Sequence, residues 1–78
     1  MAVSAYILIQ TEVGKSGAVA SGAAAIAGVM SADEVTGPYD VIVRAEAESL
    51  DDLGRKIVSR IQLVEGIHRT TTCPVIHL

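Results

Sequence analysis

Seventy-eight residues make one domain with a small core, and half of them are hydrophobic. With no Phe or Trp and only two Tyr, that core is built from Val, Ile, Leu and Ala, which makes oligomerisation the natural source of further burial. A net charge of −3 with six scattered basic residues excludes a phosphate-neutralising nucleic-acid surface. A lone cysteine, Cys73, excludes an internal disulfide framework and fits a reducing compartment. No charged leader precedes an apolar run, and the Ala/Gly-rich stretch from Gly17 to Val29 is too short to span a bilayer. The expectation is a single cytoplasmic domain over residues 1–78, with no membrane contact.

Val3 to Gln10 is predicted as a strand, with Val3, Ala5, Ile7 and Ile9 on one face. Its other face carries Ser4, Tyr6, Leu8 and Gln10 and is not simply polar. Gly14 marks a break, and a helix opens at Lys15 or Ser16 and runs to about Ala27. Val19, Ala20, Ala23, Ile26 and Ala27 form its apolar stripe, and Gly28 ends it. Val29 to Val35 carries Asp33 and Glu34, which suits an edge strand. Thr36-Gly37-Pro38-Tyr39-Asp40 is a tight turn, because Pro38 fixes its own φ and pushes Gly37 out of the right-handed helical region.

After the turn a third strand runs from Val41 to Glu46, and Tyr39, Val41, Val43 and Ala45 alternate with Asp40, Ile42 and Arg44. Ser49 with Asp52 three residues on resembles a capping box and opens a second helix that buries Leu50, Leu53, Ile57 and Ile61. Arg55, Lys56 and Arg60 fall on its solvent side. Gly66 precedes a last strand, Ile67 to Leu78, whose far end Pro74 confines to an edge.

The order βαββαβ, with right-handed crossovers, gives an α+β ferredoxin-like sandwich: a four-stranded antiparallel sheet with two helices on one face. The first and third strands are apolar on both sides, and a sheet of that kind needs both faces covered. The simplest cover is a second copy, giving a homodimer that packs sheet against sheet.

Several motifs carry less than they suggest. Gly14-Lys15-Ser16 resembles the end of a phosphate-binding loop, but the glycine required five residues earlier is Ile9. His68, Cys73 and His77 lack metal-ligand spacing, and Cys73 reads as a small core residue. Asp33 and Glu34 have no nucleophile or base beside them and read as solvated edge charges. Gly22 and Gly28 fit close helix packing. Thr70 and Thr72 share a strand face, where their hydroxyls can reach a polar ligand. No cofactor and no catalytic residue is expected.

Taken in order, Val35-Thr36-Gly37-Pro38-Tyr39-Asp40-Val41, then Leu50-x-x-Leu53, then Gly66-Ile67-x-x-Thr70-x-Thr72 resemble the effector domain of the Lrp/AsnC family of regulators. The resemblance runs from about Val3 to Leu78. It implies a ferredoxin-like domain that dimerises through its sheet and stacks its dimers into a ring, with an amino-acid effector held where dimers meet. Carried over by position, the ligand contacts are Thr36, Gly37, Tyr39 and Asp40 in the turn and Thr70 and Thr72 in the last strand. Backbone N–H groups near Gly37 would hold a carboxylate, and Asp40 would pair with an ammonium. Pro38 stands where the family often has a polar residue and removes one donor. Family members of full length carry a helix-turn-helix ahead of this domain. Here the first strand begins at residue 3, so the expectation is a stand-alone effector domain that acts beside full-length regulators.

An ACT-like amino-acid-binding domain has the same strand order. A dimeric α+β-barrel monooxygenase or isomerase also pairs such sheets, but it needs an internal cavity with His, Asn or Trp reaching in, and this chain has no Trp. Charge balance alone gives one testable outcome: purified protein should produce no salt-sensitive, sequence-dependent shift of DNA in a gel.

Overall fold

The computed structural model describes residues 2–77. Four strands, β1 (Val3–Thr11), β2 (Val29–Glu34), β3 (Val41–Ala47) and β4 (Ile67–Pro74), form one antiparallel sheet in the order β2-β3-β1-β4. The two strands that are apolar on both sides therefore lie at the centre. Those carrying Asp33, Glu34 and Pro74 lie at the edges, where charge and a missing N–H are tolerated. Helix α1 (Ser16–Ala24) and helix α2 (residues 50–61) cross one face, completing the ferredoxin-like βαββαβ sandwich.

Register fixes the core. Ala5 lies opposite Ala45, Ile7 opposite Val43 and Ile9 opposite Val41, and none of the six retains exposed surface. Val19, Ala20 and Ala23 of α1 and Leu53, Ile57 and Ile61 of α2 close over them. No polar or charged residue is buried with them among the described residues. Each fully buried Ile, Leu or Val contributes roughly 1.5–3 kcal/mol, so a core without aromatics still holds the layers together.

Helix α1 ends at Ala24, three residues before the expected stop. Two turns, Ile26 N–H to the Ala23 carbonyl and Val29 N–H to the Ile26 carbonyl, carry the chain into β2. Ile26 still packs on the core, whereas Ala27 is exposed. Gly28 makes the reversal at φ +97°, and a Cβ there would lie 2.6 Å from Ile57 Cδ1. At Gly22 a Cβ would lie 2.9 Å from Val64 Cγ1, so both glycines are close-approach positions, as the sequence suggests.

Helix α2 starts at the expected cap, with Asp52 N–H donating to Ser49 Oγ at 3.0 Å. Its exposed side carries the i,i+4 pairs Arg55–Asp51 at 2.8 Å and Lys56–Asp52 at 3.8 Å. The core stripe differs from the expected one at Leu50, which is exposed in the first turn. The segment Leu53–Val58 is π-helical. Core residues spaced by four would drift by about 40° per step around a 3.6-residue helix. The wider winding keeps Leu53, Ile57 and Ile61 on the sheet.

The opposite face of the sheet carries no helix. Leu8 and Ile42 are register partners there and half-buried, and Tyr6, opposite Arg44, is 42% exposed. Cys73 lies opposite Tyr6 on this face and is exposed, so it is not the core residue its type suggests. The predicted last strand stops at Pro74, and Leu78 lies outside the described residues.

A close-packed glycine and an open one give a paired prediction. Gly28→Ala combines positive-φ strain with a clash against Ile57 and should lower stability by about 1–3 kcal/mol. A Cβ at Gly54 meets nothing within 4 Å, so Gly54→Ala should be neutral or stabilising by up to about 1 kcal/mol. Urea unfolding at one fixed protein concentration measures both.

Candidate functional site

The corner between β2 and β3 is held by four hydrogen bonds, three of them to the end of β1. Val35 N–H donates to the Asp40 carbonyl at 2.9 Å, closing the loop on itself. Asp40 N–H donates to the Ile9 carbonyl at 2.9 Å, and Thr11 N–H donates to Asp40 Oδ2 at 2.8 Å. Gln10 Nε2 donates to the Pro38 carbonyl at 3.1 Å. Ile9 is also the register partner of Val41, so residues 40 and 41 both lie against it. That local irregularity brings the Asp40 carboxylate onto the Thr11 amide.

Gly37 has φ +129°, and a Cβ there would touch nothing within 4 Å. Backbone angle, not space, accounts for glycine at this position. Thr36, Gly37 and Pro38 are exposed, while Tyr39 and Asp40 are half-buried. The N–H groups of Thr36, Gly37 and Tyr39 donate to no atom among the described residues, and Pro38 has no N–H. The corner thus offers three free backbone donors beside a carboxylate that spends one oxygen on Thr11.

Thr70 and Thr72 sit elsewhere. They pair with Ile9 and Ile7, so they share the helix-side face and are half-buried, while Thr71 takes the open face opposite Leu8. Asp40 and Thr70 flank Ile9 on its two sides, separated by two strand spacings, or about 10 Å. Within one chain, Thr36, Gly37, Tyr39 and Asp40 come together, and the two threonines lie beyond β1.

Two further loops share this end of the sheet. Glu12 N–H donates to the Gly66 carbonyl at 2.8 Å, joining the loop after β1 to the loop before β4. Val13 at 102% and Leu63 at 84% relative exposure project from these loops. Neither is marked by periodicity in the sequence, because each is a single apolar residue in a loop. Gln10 as a clamp on the corner was also invisible, since its partner is 28 residues away.

A surface groove of about 210 Å³ opens at the other end of the hairpin, lined by Ala27, Gly28, Glu46, Glu48, Asp52 and Ile57 among others. Its walls come from the start of β2, the end of β3 and α2, so it is separate from the corner. Among the described residues, no group of three His, Cys, Asp or Glu is placed to hold a metal ion. No helix among the described residues is long and apolar enough to cross a membrane.

Residues 4–77 match the family model described as the Lrp/AsnC ligand binding domain. The chain belongs to that family. No curated protein matches it in sequence. Among solved structures it is similar to the hypothetical protein PHS023 from Pyrococcus horikoshii, at 36% identity and a TM-score of 0.86, covering 97% of this chain and 92% of that one. The protein TTHA0845 from Thermus thermophilus superposes with a TM-score of 0.89 at 25% identity, covering 97% and 95% of the two chains. The transcriptional regulator NMB0573 from Neisseria meningitidis, solved as a complex with L-Met, shares the fold at 16% identity and a TM-score of 0.81. The match covers 96% of this chain and 50% of the regulator.

The Asp40–Thr11 contact generates a stability prediction. Asp40→Ala leaves the Thr11 amide without its partner and should cost about 1–3 kcal/mol. Asp40→Asn retains an oxygen acceptor and should keep most of that stability. Urea titration of the two variants against wild type reads the difference.

Proposed function

We propose that this Lrp/AsnC-type domain is an effector-binding module, not an enzyme, that binds a small molecule, an amino acid, at the Thr36–Asp40 corner. The observation that carries the reading is that one five-residue corner pinned to β1 holds three backbone N–H groups with no acceptor among the described residues, together with the Asp40 carboxylate. An amino acid presents a carboxylate and an ammonium a few ångströms apart, and these two halves of the corner complement them. Thr36, Gly37 and Tyr39 take the carboxylate, and Asp40 Oδ1 takes the ammonium. Thr70 and Thr72, from a neighbouring chain, close the site. The Neisseria regulator's complex with L-Met supports the choice of ligand class.

The module works as a homodimer, formed through the open sheet face and assembled into a ring of dimers. This fits a sheet whose uncovered side carries Tyr6, Leu8 and Ile42. In the cytoplasm it would act on transcription or amino-acid metabolism together with full-length regulators of the same family. The barrel-enzyme reading finds no support, because Ile7, Ile9, Val19, Leu53, Ile57 and Ile61 fill the space between sheet and helices.

Thermal melting in the presence of single amino acids tests the assignment, since a ligand that binds only the folded state raises the melting temperature. At least one amino acid should shift the wild type. Asp40→Asn, which spares the Thr11 bond, should weaken that ligand about ten- to a hundredfold, the loss of one charge-assisted bond. An unchanged shift in Asp40→Asn would remove Asp40 from the site, and no shift with any amino acid would remove the ligand class.

A further inference from the structure

The open face of the sheet is apolar at its middle and charged around it. Residues 42, 44 and 46 of β3 alternate with the buried Val41, Val43 and Ala45, so Ile42, Arg44 and Glu46 project together on this side. Asp33 of β2 is the register partner of Ile42 and joins them. Leu8 and Tyr6 of β1 lie opposite Ile42 and Arg44. The face therefore carries Arg44 between two acids, Asp33 and Glu46, around a Leu8–Ile42–Tyr6 centre, with a second cation, Arg69 of β4, farther off opposite Gln10.

None of these charges is paired among the described residues. The ion pairs among the described residues are Arg55–Asp51 and Lys56–Asp52, both on α2. Anything that covers the face removes Arg44 from water, and a buried cation without a counter-charge is strongly disfavoured. A cover must therefore bring carboxylates to Arg44 and cations to Asp33 and Glu46. Nucleic acid and acidic peptides meet the first requirement and fail the second.

A second copy of this chain meets both. In a two-fold interface every contact is made twice, so one chain's cation facing the other's acids implies the reverse as well. We infer that the open face selects its own copy through this charge pattern, Arg44 of each chain being neutralised by Asp33 and Glu46 of the other. The inference rests on the dimer reading above and adds the residues that decide which partner is accepted. A sheet of similar apolar shape without these acids is rejected by the uncompensated Arg44, which is how charge sets specificity more than raw affinity.

Charge complementation tests it. Arg44→Glu makes all three positions acidic, and the double variant Asp33→Lys/Glu46→Lys makes all three basic. Sedimentation equilibrium should show each variant self-associating at least about tenfold more weakly than wild type, as like-charge contacts require. An equimolar mixture should recover nearly wild-type association, with native mass spectrometry showing the mixed dimer. That recovery also demonstrates that both variants are folded. Wild-type-like association of either variant alone would overturn the inference, and so would a mixture no tighter than its components; both results leave the dimer itself standing. A wild type that does not self-associate would overturn the inference together with the dimer reading.

Discussion

The antiparallel pairing of β1 with β3 is the interaction on which the rest of the molecule depends. These strands are hydrogen-bonded on both sides and apolar on both faces, and their register aligns Ala5, Ile7 and Ile9 with Ala45, Val43 and Val41. Slipping it by one residue would turn that aliphatic set away from the helices and bring Arg44 into the core. Because the buried side chains are small, α1 and α2 must approach closely, hence Gly22 against Val64 and Gly28 against Ile57. The same pairing leaves Leu8 and Ile42 on a face that no helix reaches.

Pairing at the centre also builds the corner. Where β1 runs out at Thr11, the Ile9 carbonyl and the Thr11 amide are taken up by Asp40, and Gln10 holds the Pro38 carbonyl. A loop with an exposed Gly-Pro would otherwise sample many conformations. Four hydrogen bonds restrict it, and they leave the N–H groups of Thr36, Gly37 and Tyr39 pointing at no acceptor among the described residues. One Asp40 oxygen fixes the corner to β1, and in the proposed function the other takes the ligand's ammonium. On that proposal rigidity and recognition are tied to one side chain, which is why the Ala and Asn substitutions separate them.

Much of this was legible in the sequence, for reasons that can be named. Alternation with period two marked the strands, Asp33–Glu34 and Pro74 marked the edges, and Ser49–Asp52 marked the start of α2. The ordered Thr-Gly-Pro-Tyr-Asp, Leu-x-x-Leu and Gly-Ile-x-x-Thr-x-Thr pattern pointed to the family to which the chain belongs. What escaped depended on contacts distant in sequence or on helix winding. Leu50 fits the stripe by spacing, yet α2 departs from 3.6-residue winding just after it. Cys73 has the character of a core residue, but its register opposite Tyr6 assigns it to the open face. The Thr11–Asp40 clasp joins residues 29 apart, and no local pattern announces it.

Fold and proposed function meet at the uncovered sheet. A domain this small, with no aromatic residue in its core, gains most by burying the Tyr6–Leu8–Ile42 face, and the proposed ligand site at the corner needs a neighbouring chain to close it. Multi-angle light scattering of the wild type through a dilution series tests that dependence most directly. The expected result is a mass of twice the 8.1 kDa chain or a larger even multiple, falling only on strong dilution. A single 8.1 kDa species at every concentration, with a cooperative melting transition, would contradict it.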